Sequence, residues 1–164
     1  MRVKGIIKGE QPYFEDVEEG AELPRLKKPR FCQSNQAAFM GVTPAAGFCA
    51  AHFDYGVAKQ QFNAAAPYAA GAQVAVFLSQ LLTNWIGPNG VLKRISYTQK
   101  DRLWSGFDGD QITIEGKVVR KRIEDGRKYV DCEIWAKNQK GTFVIAGSAT
   151  VILPSRSDQR STEP

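Results

Sequence analysis

His52 is the single histidine of this 164-residue chain, so any imidazole proton transfer near neutral pH must run through it. Cys49 stands three residues before it and Asp54 two residues after it. A thiol beside an imidazole can form a nucleophilic pair, but activation needs a specific setting, and small buried cysteines are common. A carboxylate beside an imidazole suits general acid–base work. Side chains two apart, however, point to opposite sides of a strand and far round a helix. Asp54 and His52 therefore converge on one water only across irregular backbone, and Asp54 is better placed as the N-cap of a following helix. A lone histidine also has an ordinary use, a hydrogen bond that fixes a loop. Cys32, Cys49 and Cys132 are odd in number and irregular in spacing, which fits neither a disulfide framework nor a zinc site. No metal and no cofactor is expected, and the cysteine usage fits a reducing cytoplasm.

A second kind of chemistry belongs to Gly71 and Ala72, which open the clearest helical pattern. Over residues 72–86, Val74, Phe77, Leu78, Leu81, Leu82 and Trp85 form one apolar stripe, with Gln73, Ser79, Gln80, Thr83 and Asn84 opposite. A helix start presents unpaired N–H groups and the positive end of a dipole, and glycine lets a ligand approach closely. The same residues also describe an ordinary helix start.

The elements that must position these groups follow from patterning. The first thirty residues are polar and turn-rich. Residues 34–41 read as a short helix with Ser34 or Asn35 as cap, and Asp54 caps another running to about Phe62. Residues 64–71 form a loop of small side chains. Beyond Gly87-Pro88-Asn89-Gly90 the pattern turns to strands. Residues 92–104 are mixed. Residues 112–123 alternate until Val118-Val119, which marks a bulge, and Asp125-Gly126 is a hairpin turn. Val130, Cys132, Ile134 and Ala136 share one face, as do Phe143, Ile145, Ala149, Val151 and Leu153. One long apolar helix followed by antiparallel strands is an α+β arrangement. Residues 1–154 read as a single domain and 155–164 as a disordered polar tail.

No apolar run is long enough to span a bilayer, and residues 1–10 lack the apolar core of a secretory signal. The net charge of +5 is spread over two clusters, Arg25/Lys27/Lys28/Arg30 and Lys117/Arg120/Lys121/Arg122. Neither is interleaved with aromatic residues, so nucleic acid is not an expected partner. A modest positive field suits an anionic ligand that carries phosphates.

Four segments, in order, are similar to the MaoC-like enoyl-CoA hydratase/dehydratase group. They are Tyr13-Phe14-Glu15-Asp16-Val17-Glu18-Glu19-Gly20, His52-Phe53-Asp54 with Ala58, Gly109-Asp110-Gln111-Ile112-Thr113-Ile114, and Gly147-Ser148-Ala149-Thr150-Val151-Ile152-Leu153-Pro154. The resemblance covers residues 13–154. It implies a hot-dog fold, an antiparallel sheet wrapped around a long central helix, and an acyl-CoA thioester as substrate. It implies His52 as acid or base, and Gly71 as the glycine whose N–H forms an oxyanion hole. The family's usual aspartate, in its G-D-x-N-P-x-H segment, is Gly47 here, and its asparagine is Cys49.

Three readings follow. The chain is a hydratase or dehydratase working through His52, with Asp54 the sole carboxylate between Glu22 and Asp101. Or it is the non-catalytic subunit of a heteromer with a complete MaoC-like chain. Or it is a hot-dog thioesterase, which ranks last because residues 55–100 contain no Asp or Glu. Asp101, Asp108 and Asp110 are expected in turn or register roles. A homodimer or a heteromer is expected.

Overall fold

The computed structural model describes residues 11–28, 30–42, 49–99 and 106–159. Among them, five strands make one antiparallel sheet: β1 (Leu26–Lys28), β2 (Val91–Gln99), β3 (Ile112–Glu124), β4 (Arg127–Asn138) and β5 (Phe143–Ile152), in the order β1-β3-β4-β5-β2. The helices are α1 (Gln33–Val42), α2 (Tyr55–Phe62), α3 (Gly71–Ile86) and the short α4 (Arg156–Gln159).

The sheet closes over α3. Val74, Leu78, Leu81, Leu82 and Ile86 are buried against Ile112, Ile114 and Val118 of β3, Val130, Cys132 and Ile134 of β4, and Ile145, Ala149 and Val151 of β5. Phe77 and Trp85 pack against the same cluster from its margin. This is the wrapped-helix arrangement that the stripe on α3 anticipates. Burial also lifts the Cys132 thiol to about 12, which keeps it protonated and apolar in its behaviour.

Local turn chemistry places the strands. Glu124 pairs with Arg127, so Asp125 and Gly126 form a two-residue hairpin loop with φ values of 50° and 73°. The register shifts between Val118 and Arg120, where the Val118-Val119 pair predicts a bulge, and Val119 is turned outward. At Asn138 the side chain accepts from the N–H groups of Lys140 and Thr142, both at 3.0 Å, and turns the chain back into β5.

Four features depart from the sequence reading. Ser34 and Asn35 lie inside α1 rather than capping it. Phe143 is exposed and Val144 is buried in its stead, because the β4–β5 register shifts between Ala136 and Lys137. Gln73, expected on the polar face of α3, is buried, since the first turn of that helix sits behind the buried segment 67–70. The fourth is the start of the tail. Ser155 is buried and hydrogen-bonds Glu15, and Arg156 meets Asp16 at 2.6 Å while lying over the Tyr13 ring. The two basic clusters are partly committed to local pairs. Arg25 meets Glu115 at 2.9 Å, Arg122 meets Asp131 at 3.2 Å, and Lys28 reaches Gln80 at 2.6 Å over the Phe77 ring. No helix among the described residues is long and apolar enough to cross a membrane.

The tail contact carries a pH signature. The Ser155 hydroxyl holds the Glu15 carboxyl below its ordinary value, and Arg156 does the same for Asp16. A carboxylate whose folded pKa is depressed stabilises the fold above its unfolded value and loses that contribution as pH falls through the folded one. Deleting residues 155–164 is therefore expected to lower the Tm slightly at neutral pH, as befits exposed pairs. Thermal melts across the acid range check this, and the deficit should shrink as both carboxyls protonate. Equal melting temperatures at neutral pH would show that the contact contributes nothing.

Candidate active site

The site is assembled by three short segments around one carbonyl. The chain enters through a 3-10 turn, Ala50–His52, in which the His52 N–H returns to the Cys49 carbonyl at 3.1 Å. Asp54 then caps α2, its Oδ1 accepting from the Val57 N–H at 2.8 Å. The irregular backbone that convergence would require is present, yet it turns the two side chains apart. The Asp54 carboxylate is exposed and spent on the cap, and no carboxylate among the described residues hydrogen-bonds the His52 ring. Asp54 thus takes the cap role expected of it. The loop 43–48, with Gly47 at the family's aspartate position, lies outside the described residues.

The His52 ring turns to the segment that leads into α3. Its Nδ1 lies 2.9 Å from the Tyr68 carbonyl oxygen. A carbonyl only accepts, so Nδ1 carries the proton and donates; in the neutral ring Nε2 is then the basic nitrogen. The ring also meets the Tyr68 ring edge-on, with centroids 4.9 Å apart. Close approach is possible because the contact is built of small groups: Ala51, Ala58 and Ala64 are buried with Tyr68 in one cluster. Burial, and then the neighbouring Cys49, push the Tyr68 phenol above its ordinary value, so it remains a neutral hydroxyl.

Residues 67–70 are in turn held by the chain before β3. Ala69 N donates to Gly106 O and Asp108 N to Pro67 O, both at 2.8 Å. Gly106 has φ +83°, and a Cβ there would lie 3.3 Å from that of Ala69, so glycine is needed on both counts. Asp108 and Asp110 take the turn and register roles expected of them. Asp108 accepts from the Gln33 N–H at 2.7 Å and the Tyr55 hydroxyl at 2.6 Å, and Asp110 accepts from the Phe107 N–H at 3.0 Å. Asp101 falls outside the described residues.

Three residues beyond the Tyr68 carbonyl, α3 begins. The N–H groups of Gln73 and Val74 both bond to Ala70 O, at 2.9 and 3.2 Å. Those of Gly71 and Ala72 are the ones left over at the positive end of the dipole. A Cβ on Gly71 would lie 3.0 Å from the Gln99 carboxamide oxygen, so glycine keeps that approach open. The structure thus joins His52 to Tyr68, three residues before Gly71 opens α3, and leaves Asp54 on its cap. Two participants carry no sequence signal of their own. Tyr68 contributes through its backbone. Gln36, buried on α1, donates from Nε2 to the same Tyr68 carbonyl at 2.9 Å.

No family model and no curated protein matches the chain. Solved structures do. An (R)-hydratase from A. caviae involved in PHA biosynthesis superposes with a TM-score of 0.71 at 26% identity, over 85% of this chain and 99% of that one. A MaoC-like dehydratase from Rhodospirillum rubrum gives 0.73 at 20% identity, over 88% and 98%. A 3R-hydroxyacyl-ACP dehydratase complex from Mycobacterium tuberculosis gives 0.62 at 14% identity, over 82% and 96%. The chain shares the hot-dog fold of these hydratases and dehydratases, the fold that the four segments resembling the MaoC-like group imply.

The cap predicts a separable effect. Replacing Asp54 by Ala should cost about 1 kcal/mol of stability, the usual cost of losing an N-cap, and Asp54→Asn should cost far less. Urea unfolding of the two variants checks it. Equal losses would mean that the carboxylate does something other than cap.

Proposed function

We propose that this chain is an acyl-thioester hydratase or dehydratase acting on an enoyl-CoA or 3-hydroxyacyl-CoA, with His52 as its acid/base group. The observation that carries this reading is the His52–Tyr68 bond, which puts the proton on Nδ1 and leaves Nε2 basic, with the Tyr68 acceptor three residues in sequence before α3 begins at Gly71. In hydration, Nε2 takes a proton from water as the water oxygen bonds to the β-carbon. The electron pair of the double bond moves toward the thioester, whose oxygen becomes enolate-like. The free N–H groups of Gly71 and Ala72 meet that oxygen, where charge develops and donors are most effective. Uptake of a proton at the α-carbon completes the addition of H and OH. The fold shared with (R)-hydratases and MaoC-like dehydratases supports the reaction class.

A specific observation also favours a second chain. Asp54 is committed to its cap and no carboxylate among the described residues meets His52, so among those residues a second proton-transfer group is lacking at the ring. Each such group contributes about 10²–10⁴-fold. A heteromer with a chain that carries the complete motif supplies it, and the dehydratase complex among the similar structures is itself an assembly. Strand β2 offers a place to dock: it pairs with β5 on one side only, and Val91 and Tyr97 are exposed along it. A C2 homodimer across that edge is the simplest closed alternative. A cytoplasmic location goes with a CoA substrate.

His52→Ala is expected to lower kcat on an enoyl-CoA by about 10²–10⁴-fold with binding little changed, as for a group used chiefly in the transition state. Gly71→Ala is expected to lower turnover, because its Cβ would lie 3.0 Å from the Gln99 carboxamide oxygen and crowd the approach to the free N–H groups. Stopped assays with several enoyl-CoA and 3-hydroxyacyl-CoA substrates, run with and without a candidate partner chain, check both. Undiminished turnover in His52→Ala would remove His52 from the mechanism. Fast turnover by the homo-oligomer would remove the need for a partner.

A further inference from the structure

We propose that Gln36 is a positioning residue for His52, acting through the carbonyl that the two share; the role in catalysis rests on the hydratase reading above, the positioning itself does not. Gln36 is fully buried in α1 and donates from Nε2 to Tyr68 O at 2.9 Å. The Tyr68 oxygen is 2.9 Å from His52 Nδ1 as well. A carbonyl oxygen has two lone pairs, so the two donors occupy it fully and from two directions. The carbonyl is then not free to swing with the loop of small residues on which it sits. Its orientation decides whether the His52 proton stays on Nδ1, and so whether Nε2 is the base.

The stability cost of Gln36 points the same way. Its Oε1 is buried and has no hydrogen-bond partner. A buried orphan acceptor is a net cost, and an apolar side chain of the same length would remove it. On packing grounds alone position 36, which lies one helical turn from the buried Met40, calls for an apolar residue. A carboxamide there weakens the core and serves the carbonyl. Gln36 also sits on a different element from His52 and Tyr68, so it ties α1 to the 3-10 turn and to the segment before α3. A helix is a firmer anchor for the Tyr68 carbonyl than the loop itself.

The chain has one histidine, so 15N-histidine labelling yields the spectrum of a single imidazole. The wild-type protein should show Nδ1 protonated and Nε2 unprotonated at a pH where the ring is neutral. Gln36→Met keeps the length of the side chain and cannot donate. It should shift the ring toward the Nε2–H tautomer, leave the Tm unchanged or raised, and reduce kcat roughly tenfold to a hundredfold with little change in KM, as for a misplaced reacting group. Gln36→Leu, of a different shape and equally unable to donate, should give the same tautomer shift. An unchanged tautomer in both variants would overturn the proposal and reduce Gln36 to a packing residue, whatever happens to the rate. No turnover by the chain either alone or with a partner chain would count against the hydratase reading, while the tautomer measurement would still decide the role of Gln36.

Discussion

One backbone oxygen organises the site. Tyr68 O receives the His52 ring from the 3-10 turn and the Gln36 carboxamide from α1, each at 2.9 Å. Because it can only accept, it dictates which nitrogen of the ring holds the proton. It stands three residues before Gly71, where α3 begins. A side-chain acceptor in that role would bring its own torsions, whereas a carbonyl inherits the rigidity of the backbone on either side.

That rigidity traces back to the core. The start of α3 cannot move without moving Val74 and Leu78, which are buried against β3, β4 and β5. Residues 67–69 are hydrogen-bonded to residues 106–108, so the sheet side and the helix side both hold the carbonyl. The alanines at 51, 58 and 64 bury little area each, yet their small size lets three segments meet closely. Larger side chains there would hold the imidazole away from its acceptor. Asp54 is held to its cap, and β2 lies at one end of the strand order, paired with β5 alone.

Much of this was legible where the physics is local. The stripe on α3, the Asp54 cap, the Asp125-Gly126 turn and the Val118-Val119 bulge depend on neighbours in sequence, and each is found where the pattern puts it. What was not legible depends on distant partners. Strand β1 is three residues long and exists because Leu26 and Lys28 meet Ile114 and Ile112. The outward turn of Phe143 follows from a register shift set by β4. The role of Tyr68 lies in a carbonyl, which every residue possesses and no residue type announces. Gln36 looks like any polar helix position until its burial is known. For the fold, then, sequence pattern was a good guide; around His52 it does not reveal the Tyr68 carbonyl and the Gln36 carboxamide, which only the folded chain brings together.

In the proposed reaction the thioester binds between His52 Nε2 and the first N–H groups of α3. A crystal structure of the chain, alone or with its partner, with a 3-hydroxyacyl-CoA bound tests it most directly. The account predicts the thioester oxygen within hydrogen-bond reach of Gly71 N or Ala72 N, the 3-hydroxyl at His52 Nε2, and Nδ1 still on the Tyr68 carbonyl. A ligand bound away from the start of α3, or a His52 ring that has left Tyr68 and presents Nδ1 to the substrate, would contradict it.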